Sequence, residues 1–186
     1  MGCEMAEGKT GRRGNTIVEF TLVGIPIIFV LISIFEIARG MWVYDTLAHA
    51  VREGTRMAIV NGRDCAKIPG CPVTIGDIAQ RIRETGVGLP PELLNVTMLA
   101  LAPSVAGPVV VATVTCNPLK SCLGMTAQPA NQWPPPNANR PRLHSVQIQG
   151  VYPFRSAISM FWPGAGKGMT FGTVQLPASS REVIQF

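Results

Sequence analysis

Residues 20–35, FTLVGIPIIFVLISIF, contain no ionisable side chain, and that gap restricts the fold more than any other feature of the chain. Extended by Ile17, Val18, Ile37 and Ala38, the run reaches about twenty residues, the number an α-helix rising 1.5 Å per residue needs to cross a ~30 Å hydrocarbon core. Composition agrees, because 47% hydrophobic residues against 15% charged is more apolar than an ordinary soluble domain. A cleavable secretory signal expects an apolar region of only about 7–15 residues and then a small-x-small site. This run is longer and leaves through FEIARGMW, so a retained membrane helix fits better. Lys9, Arg12 and Arg13 crowd its N-terminal side, whereas residues 38–52 offer Arg39 and Arg52 with Asp45 between them. The positive-inside rule then puts the N-terminus in the cytoplasm and everything after the span outside.

Glu19 interrupts the start of the apolar run. A carboxylate inside a bilayer costs a few kcal/mol at the centre and less near the boundary, so it requires a partner or a path to water. Scission after Gly14 would make Asn15 the new N-terminus and Glu19 the fifth residue. An α-amino group and a carboxylate so placed pair within one chain or between chains packed side by side. At ~4 Å and an effective dielectric near 20 that attraction is about 4 kcal/mol before desolvation is subtracted. The alternative is an interfacial carboxylate that snorkels to water.

The parts then fall in a recognisable order: Arg12-Arg13-Gly14, Val18-Glu19-Phe20, Pro26 within the apolar run, Glu36 and Arg39 as E-x-x-R, and Ala50, Arg52, Glu53, Gly54, Arg56 and Ala58 as A-x-R-E-G-x-R-x-A. Over residues 12–60 the chain resembles the TadE-like module of Flp/Tad pilus assembly. The resemblance implies a pseudopilin or minor pilin of a bacterial type IV-like system, cut by a prepilin peptidase after Gly14. Glu19 and Phe20 would then register one subunit against the next, with Glu36 and Arg39 as further candidates for charge registration. Main Flp pilins are much shorter than this chain, so a large head resembles an accessory subunit. The partners implied are the bilayer, the prepilin peptidase, other pilins and the Tad assembly platform, with incorporation into the pilus as a further expectation. The implied location is the bacterial inner membrane, with the head in the periplasm.

Beyond the span, Ile37, Met41, Tyr44, Ala48, Val51, Thr55 and Ala58 recur at three- and four-residue spacing, predicting that the helix continues to about Val60 as an amphipathic extension. Pro26 predicts a kink inside the membrane, and Asn61-Gly62 a C-terminal stop. The charges of the extension read as exposed pairs worth about 0.2–0.5 kcal/mol each. Thr74 caps a short helix with Ile75, Ile78, Ala79 and Ile82 on one face. LLNVTMLAL and PVVVATVTC read as strands joined by a hairpin, HSVQIQGVYPF as a third, and MTFGTVQL with SREVIQF as a last, edge or broken strand containing Pro177. The fold expected is α+β: a long N-terminal helix, then a small head with one short helix and about four antiparallel strands. Its expected divisions are a leader at 1–14, a transmembrane helix at 15–38, an amphipathic extension at 39–61 and a head at 62–186.

Residues 117–142, rich in proline and asparagine, read as an irregular surface loop, with Trp133 before three prolines as a less favoured docking segment. Once a leader containing Cys3 is removed, Cys65, Cys71, Cys116 and Cys122 remain. Four cysteines allow three connectivities, among which sequence does not choose; Cys65–Cys71 and Cys116–Cys122 are favoured, each with five intervening residues beside a loop, as bridges formed in an oxidising periplasm, with reduced thiols as the alternative. That spacing suits neither zinc nor thioredoxin chemistry, and His49 and His144 lack metal-site spacing. GAGKG at 164–168 misses the phosphate-loop pattern because Lys167 is followed by Gly168. Arg140 and Arg142 do not amount to a nucleic-acid patch. The reading is a non-enzymatic pilus subunit without cofactor, metal, nucleic acid or small-molecule substrate. The alternative is an uncleaved single-pass envelope protein whose head is a binding module.

Overall fold

A computed structural model describes residues 15–60, 72–156 and 173–185. The described residues begin with α1, Asn15–Val60, a single 46-residue helix that runs through Pro26. Helix α2 spans Ile75–Thr85. Strands β1, Asn95–Ala102, and β2, Val109–Cys116, follow, then a 3-10 turn at Leu119–Cys122. Strands β3, Ser145–Arg155, and β4, Thr173–Val183, complete one antiparallel sheet in the order β2-β1-β3-β4. This is the α+β architecture expected. The Asn61-Gly62 stop and the Cys65–Cys71 pair lie outside the described residues.

Helix α2 forms because local and tertiary signals coincide. Thr74 accepts from the Asp77 backbone N–H at 3.2 Å while the Asp77 carboxylate accepts from the Thr74 N–H at 2.9 Å, a complete capping box. The next two N–H groups, at Ile75 and Gly76, donate to the carbonyls of Asn131 and Met125, both at 2.9 Å, so the helix start leaves few orphan donors. An 11-residue helix is marginal alone. Burial of Ile75, Ile78 and Ile82, about 1.5–3 kcal/mol each, outweighs the cap's ~1 kcal/mol.

The sheet is two-faced, as alternation along antiparallel strands dictates. Val96, Met98 and Ala100 of β1 and Val146 and Ile148 of β3 are buried toward the helices. On the other face Thr97 stands between Thr115 and Gln149, and Leu99 between Thr113 and Gln147. Pro177 lies opposite Val151 within an unbroken 11-residue β4, tolerated because β4 is an edge strand.

The second half of α1 lies along β3 and β4 on the inner face, with α2 beside it. Its buried side is Val43, Leu47, Ala50, Val51, Thr55, Ala58 and Ile59. The expected stripe agrees from Val51 onward but not earlier, because Ile37, Met41 and Tyr44 are exposed. Residues 117–142 also differ from a plain surface loop. Trp133 is 2% exposed and its backbone N–H donates to the Val73 carbonyl at 3.0 Å. Ala138 and Asn139 are buried with it. The segment closes the core around α2, which also removes Trp133 as an exposed docking residue.

Candidate assembly helix and its seat in the head

Two chemically distinct halves make up α1. From Ile17 to Met41 every Leu, Ile, Val and Phe that is large is exposed or half-exposed, with Phe20 at 77% and Phe35 at 75%. The helix holds a window of mean hydropathy 2.5, none of it buried in protein. By length and composition it is apt to cross a membrane; the core helix of a soluble fold would be covered. The hydroxyls in this stretch are satisfied internally: Thr21 Oγ1 donates to the Ile17 carbonyl and Ser33 Oγ to that of Phe29, each at 2.8 Å. Such back-bonding suits a medium without water.

Of the expected site residues, Gly14 lies outside the described residues, and Asn15 is the first residue of the helix. Glu19 and Phe20 are exposed on the bare half, Glu19 four positions after Asn15. Glu36 and Arg39 sit where the bare half meets the head. Arg39 Nη1 is 3.3 Å from Glu36 Oε1, its Nη2 donates to the Arg155 carbonyl at 3.2 Å, and its guanidinium lies 4.9 Å from the Phe154 ring centroid. The pair therefore fastens the helix to the end of β3, a role that the spacing alone did not reveal.

The A-x-R-E-G-x-R-x-A stretch acquires its own physical account. Ala50, Gly54 and Ala58, four apart, form a ridge of small buried residues on α1. A Cβ at Gly54 would stand 2.7 Å from Ile82 Cγ1, and one at Gly86 would stand 3.5 Å from Ala50 Cβ. Only small residues let α2 approach this closely. Glu53 clamps the same crossing, pairing with Arg56 at 2.8 Å and with Arg81 of α2 at 3.6 Å. Its carboxylate is only 17% exposed, so the pair is better shielded than the exposed i,i+3 pairs expected. From the sheet side Gly150 does what Gly54 does: a Cβ there would meet Val51 Cγ2 at 2.8 Å and Leu47 Cδ1 at 3.1 Å.

Elsewhere, Cys116 and Cys122 form a disulfide with a Cα–Cα distance of 5.6 Å, both cysteines buried. It ties the end of β2 to the 3-10 turn. His49 is exposed on α1, while His144 is buried and its Nδ1 accepts from the Arg140 N–H at 3.1 Å. Among the described residues no cluster of three His, Cys, Asp or Glu side chains could hold a metal.

These features define a class: a membrane-type helix continued without interruption into the core of an α+β head. Comparison with family models makes the assignment sharper, since residues 14–56 match the family described as TadE-like protein, the family the motifs resemble. The match and the bare apolar helix together indicate a membrane protein related to the Tad pilus. Neither the curated proteins nor the solved structures compared with the chain gave a match.

Proposed function

We propose that the protein is a membrane-anchored pseudopilin, a minor or initiating subunit of a Tad-type pilus, clipped by a prepilin peptidase between Gly14 and Asn15. The observation that carries this reading is the division of one continuous helix into a bare apolar half and a half built into the head. A subunit of that shape lies in lipid as a monomer and offers the same bare surface to neighbouring helices when it assembles. Glu19 is the charge that the new N-terminal amine of an adjacent or the same chain would meet. The N-terminus faces the cytoplasm and the head the periplasm of the inner membrane, in keeping with the basic residues before the span.

Processing tests it directly. The chain is expressed in a host with and without its prepilin peptidase, and the N-terminus of the purified protein is measured by mass spectrometry. A peptidase-dependent start at Asn15 is expected; an unchanged mass, or a start elsewhere, would favour an uncleaved anchor carrying a binding head. Glu19→Gln is expected to weaken subunit association at unchanged membrane insertion. Equal association of the two forms would remove Glu19 from the assembly mechanism.

A further inference from the structure

Three elements end at one level of α1. Strand β3 runs antiparallel to the helix: Gly150 meets Leu47 and Val51, a Cβ at Gly40 would lie 3.7 Å from the Phe154 ring, and the Arg155 carbonyl accepts from Arg39. Strand β4 starts beside them, with Val174 paired to Phe154 and Thr173 to Arg155. Helix α2 comes down the other side, Ile82 against Gly54 and Gly86 near Ala50, until Gly88, at φ +84°, lies against the Trp42 ring. The lower rim of the head is thus level with residues 39–42.

The apolar run ends at Ala38, and four residues at 1.5 Å rise place Trp42 about 6 Å beyond it. A headgroup layer is about 5–8 Å thick, so the rim falls inside that layer, with no length of bare helix to hold the head away. Its chemistry matches. Met41, Trp42, Val87 and Val174 are all more than half exposed, at 63%, 53%, 66% and 56%, beside the cationic Arg39 and Arg155. Aromatic and aliphatic side chains next to arginine are the composition favoured at a lipid–water boundary.

We propose that this rim is a second membrane-contact surface, through which the head rests on the phospholipid headgroups of the bilayer that its helix crosses. The proposal rests on the reading that residues 17–38 span that bilayer. Continuity selects lipid as the occupant, because the rim extends the lipid-facing surface of α1 sideways onto residues of α2's exit and of β4. Val87 and Val174 are decisive, since they stand off the helix and its passage alone would not bring them to lipid.

The test uses the full chain reconstituted in bilayers. Trp42→Phe and Trp162→Phe leave the buried Trp133 as a constant background that also reports folding, and single Val87→Trp or Val174→Trp reporters are added. Lipids brominated near the headgroup end of the acyl chain are the probe, with Trp42 measured in the Trp162→Phe protein as the reference. Both reporters are expected to lose emission on bromination and to emit at shorter wavelength, as Trp42 does. Reporters unquenched by bromolipid while Trp42 is quenched would overturn the proposal and leave the span intact. Reporters shielded from both bromolipid and aqueous acrylamide would overturn it in favour of a protein neighbour. An unquenched Trp42 would sink the span and the proposal together. If Val174→Trp disturbs the strand, seen as an altered Trp133 signal, Val87→Trp decides alone.

Discussion

Replacing Gly54 by alanine puts two opposed effects at one position. At an exposed helical site the change stabilises by about 1 kcal/mol, because alanine loses less backbone entropy on folding. Here the new methyl would sit 2.7 Å from Ile82 Cγ1 and 2.9 Å from Ile82 Cδ1, well inside the 3.5–4.0 Å or so at which carbon contacts are favourable. Ile82 is fully buried, so it yields only by displacing α2 or leaving its rotamer. Overpacking of this kind costs about 1–3 kcal/mol, and the net effect of Gly54→Ala is a destabilisation of roughly 0–2 kcal/mol. Truncating Ile82 to alanine costs about 2–5 kcal/mol by itself but removes both clashing atoms. In the Ile82→Ala background, therefore, Gly54→Ala changes sign and stabilises by about 1 kcal/mol or more. Urea unfolding of the detergent-solubilised chain, followed by the emission of buried Trp133, measures all four corners of the cycle. A Gly54→Ala protein more stable than the parent by the full helix-propensity gain, with no coupling to Ile82, would refute the α1–α2 crossing and the account of the glycine in the A-x-R-E-G-x-R-x-A stretch.

Removing the Cys116–Cys122 bridge, by Cys122→Ser or by reductant, should cost about 2 kcal/mol through a short closed loop, read as a lower urea midpoint. Trp133→Ala should cost about 3–5 kcal/mol. Trp133→Phe should cost far less, because it keeps most of the ring and deletes a buried indole N–H that has no hydrogen-bond partner among the described residues. Near-parental stability of Trp133→Ala would show that 117–142 does not close the core. Glu92 is held below the ordinary carboxylate range by a backbone N–H at its own position and then by the side chain of Lys120, 3.3 Å away. A depressed carboxylate contributes above its unfolded pKa and loses the contribution as pH falls through the folded one. Glu92→Gln should thus lower the urea midpoint slightly at neutral pH and not at all in acid, the small size following from the pair's exposure to solvent and salt screening.

Much of the head was legible because local signals reinforce one another there. Thr74 and Asp77 supply both halves of a cap just ahead of a 3.6-residue pattern, and Ile75, Ile78, Ala79 and Ile82 are all buried. The β1–β2 hairpin follows from two β-rich runs around a Gly/Pro turn. The lower part of the α1 stripe was not legible. Residues 20–35 are apolar on every side and residues 37–44 add only Arg39 as a charged mark, so periodicity carries little contrast, and the contacting ridge farther on is built of Ala50 and Gly54, which hydrophobic patterns undervalue. Trp133 was missed because one aromatic among prolines has no period. Its place is set by Val73 and by the Thr74–Gln132 bridge, contacts distant in sequence. Its large apolar area was the available hint. The candidate site divides in the same way: its apolar half was plain from composition, whereas the attachment of Arg39 to Phe154 and of Glu53 to Arg81 depends on partners far away in sequence.

That attachment has a mechanical consequence. Since α1 passes from its bare apolar half into the sheet's packing without a break, the apolar segment and the head share one axle. On the proposed reading that the apolar half lies in the bilayer, a lengthwise pull on the helix would reach β3 where Gly150 meets Leu47 and Val51 and where the Arg155 carbonyl accepts from Arg39. Such a load would act as shear across the packed helix–sheet face.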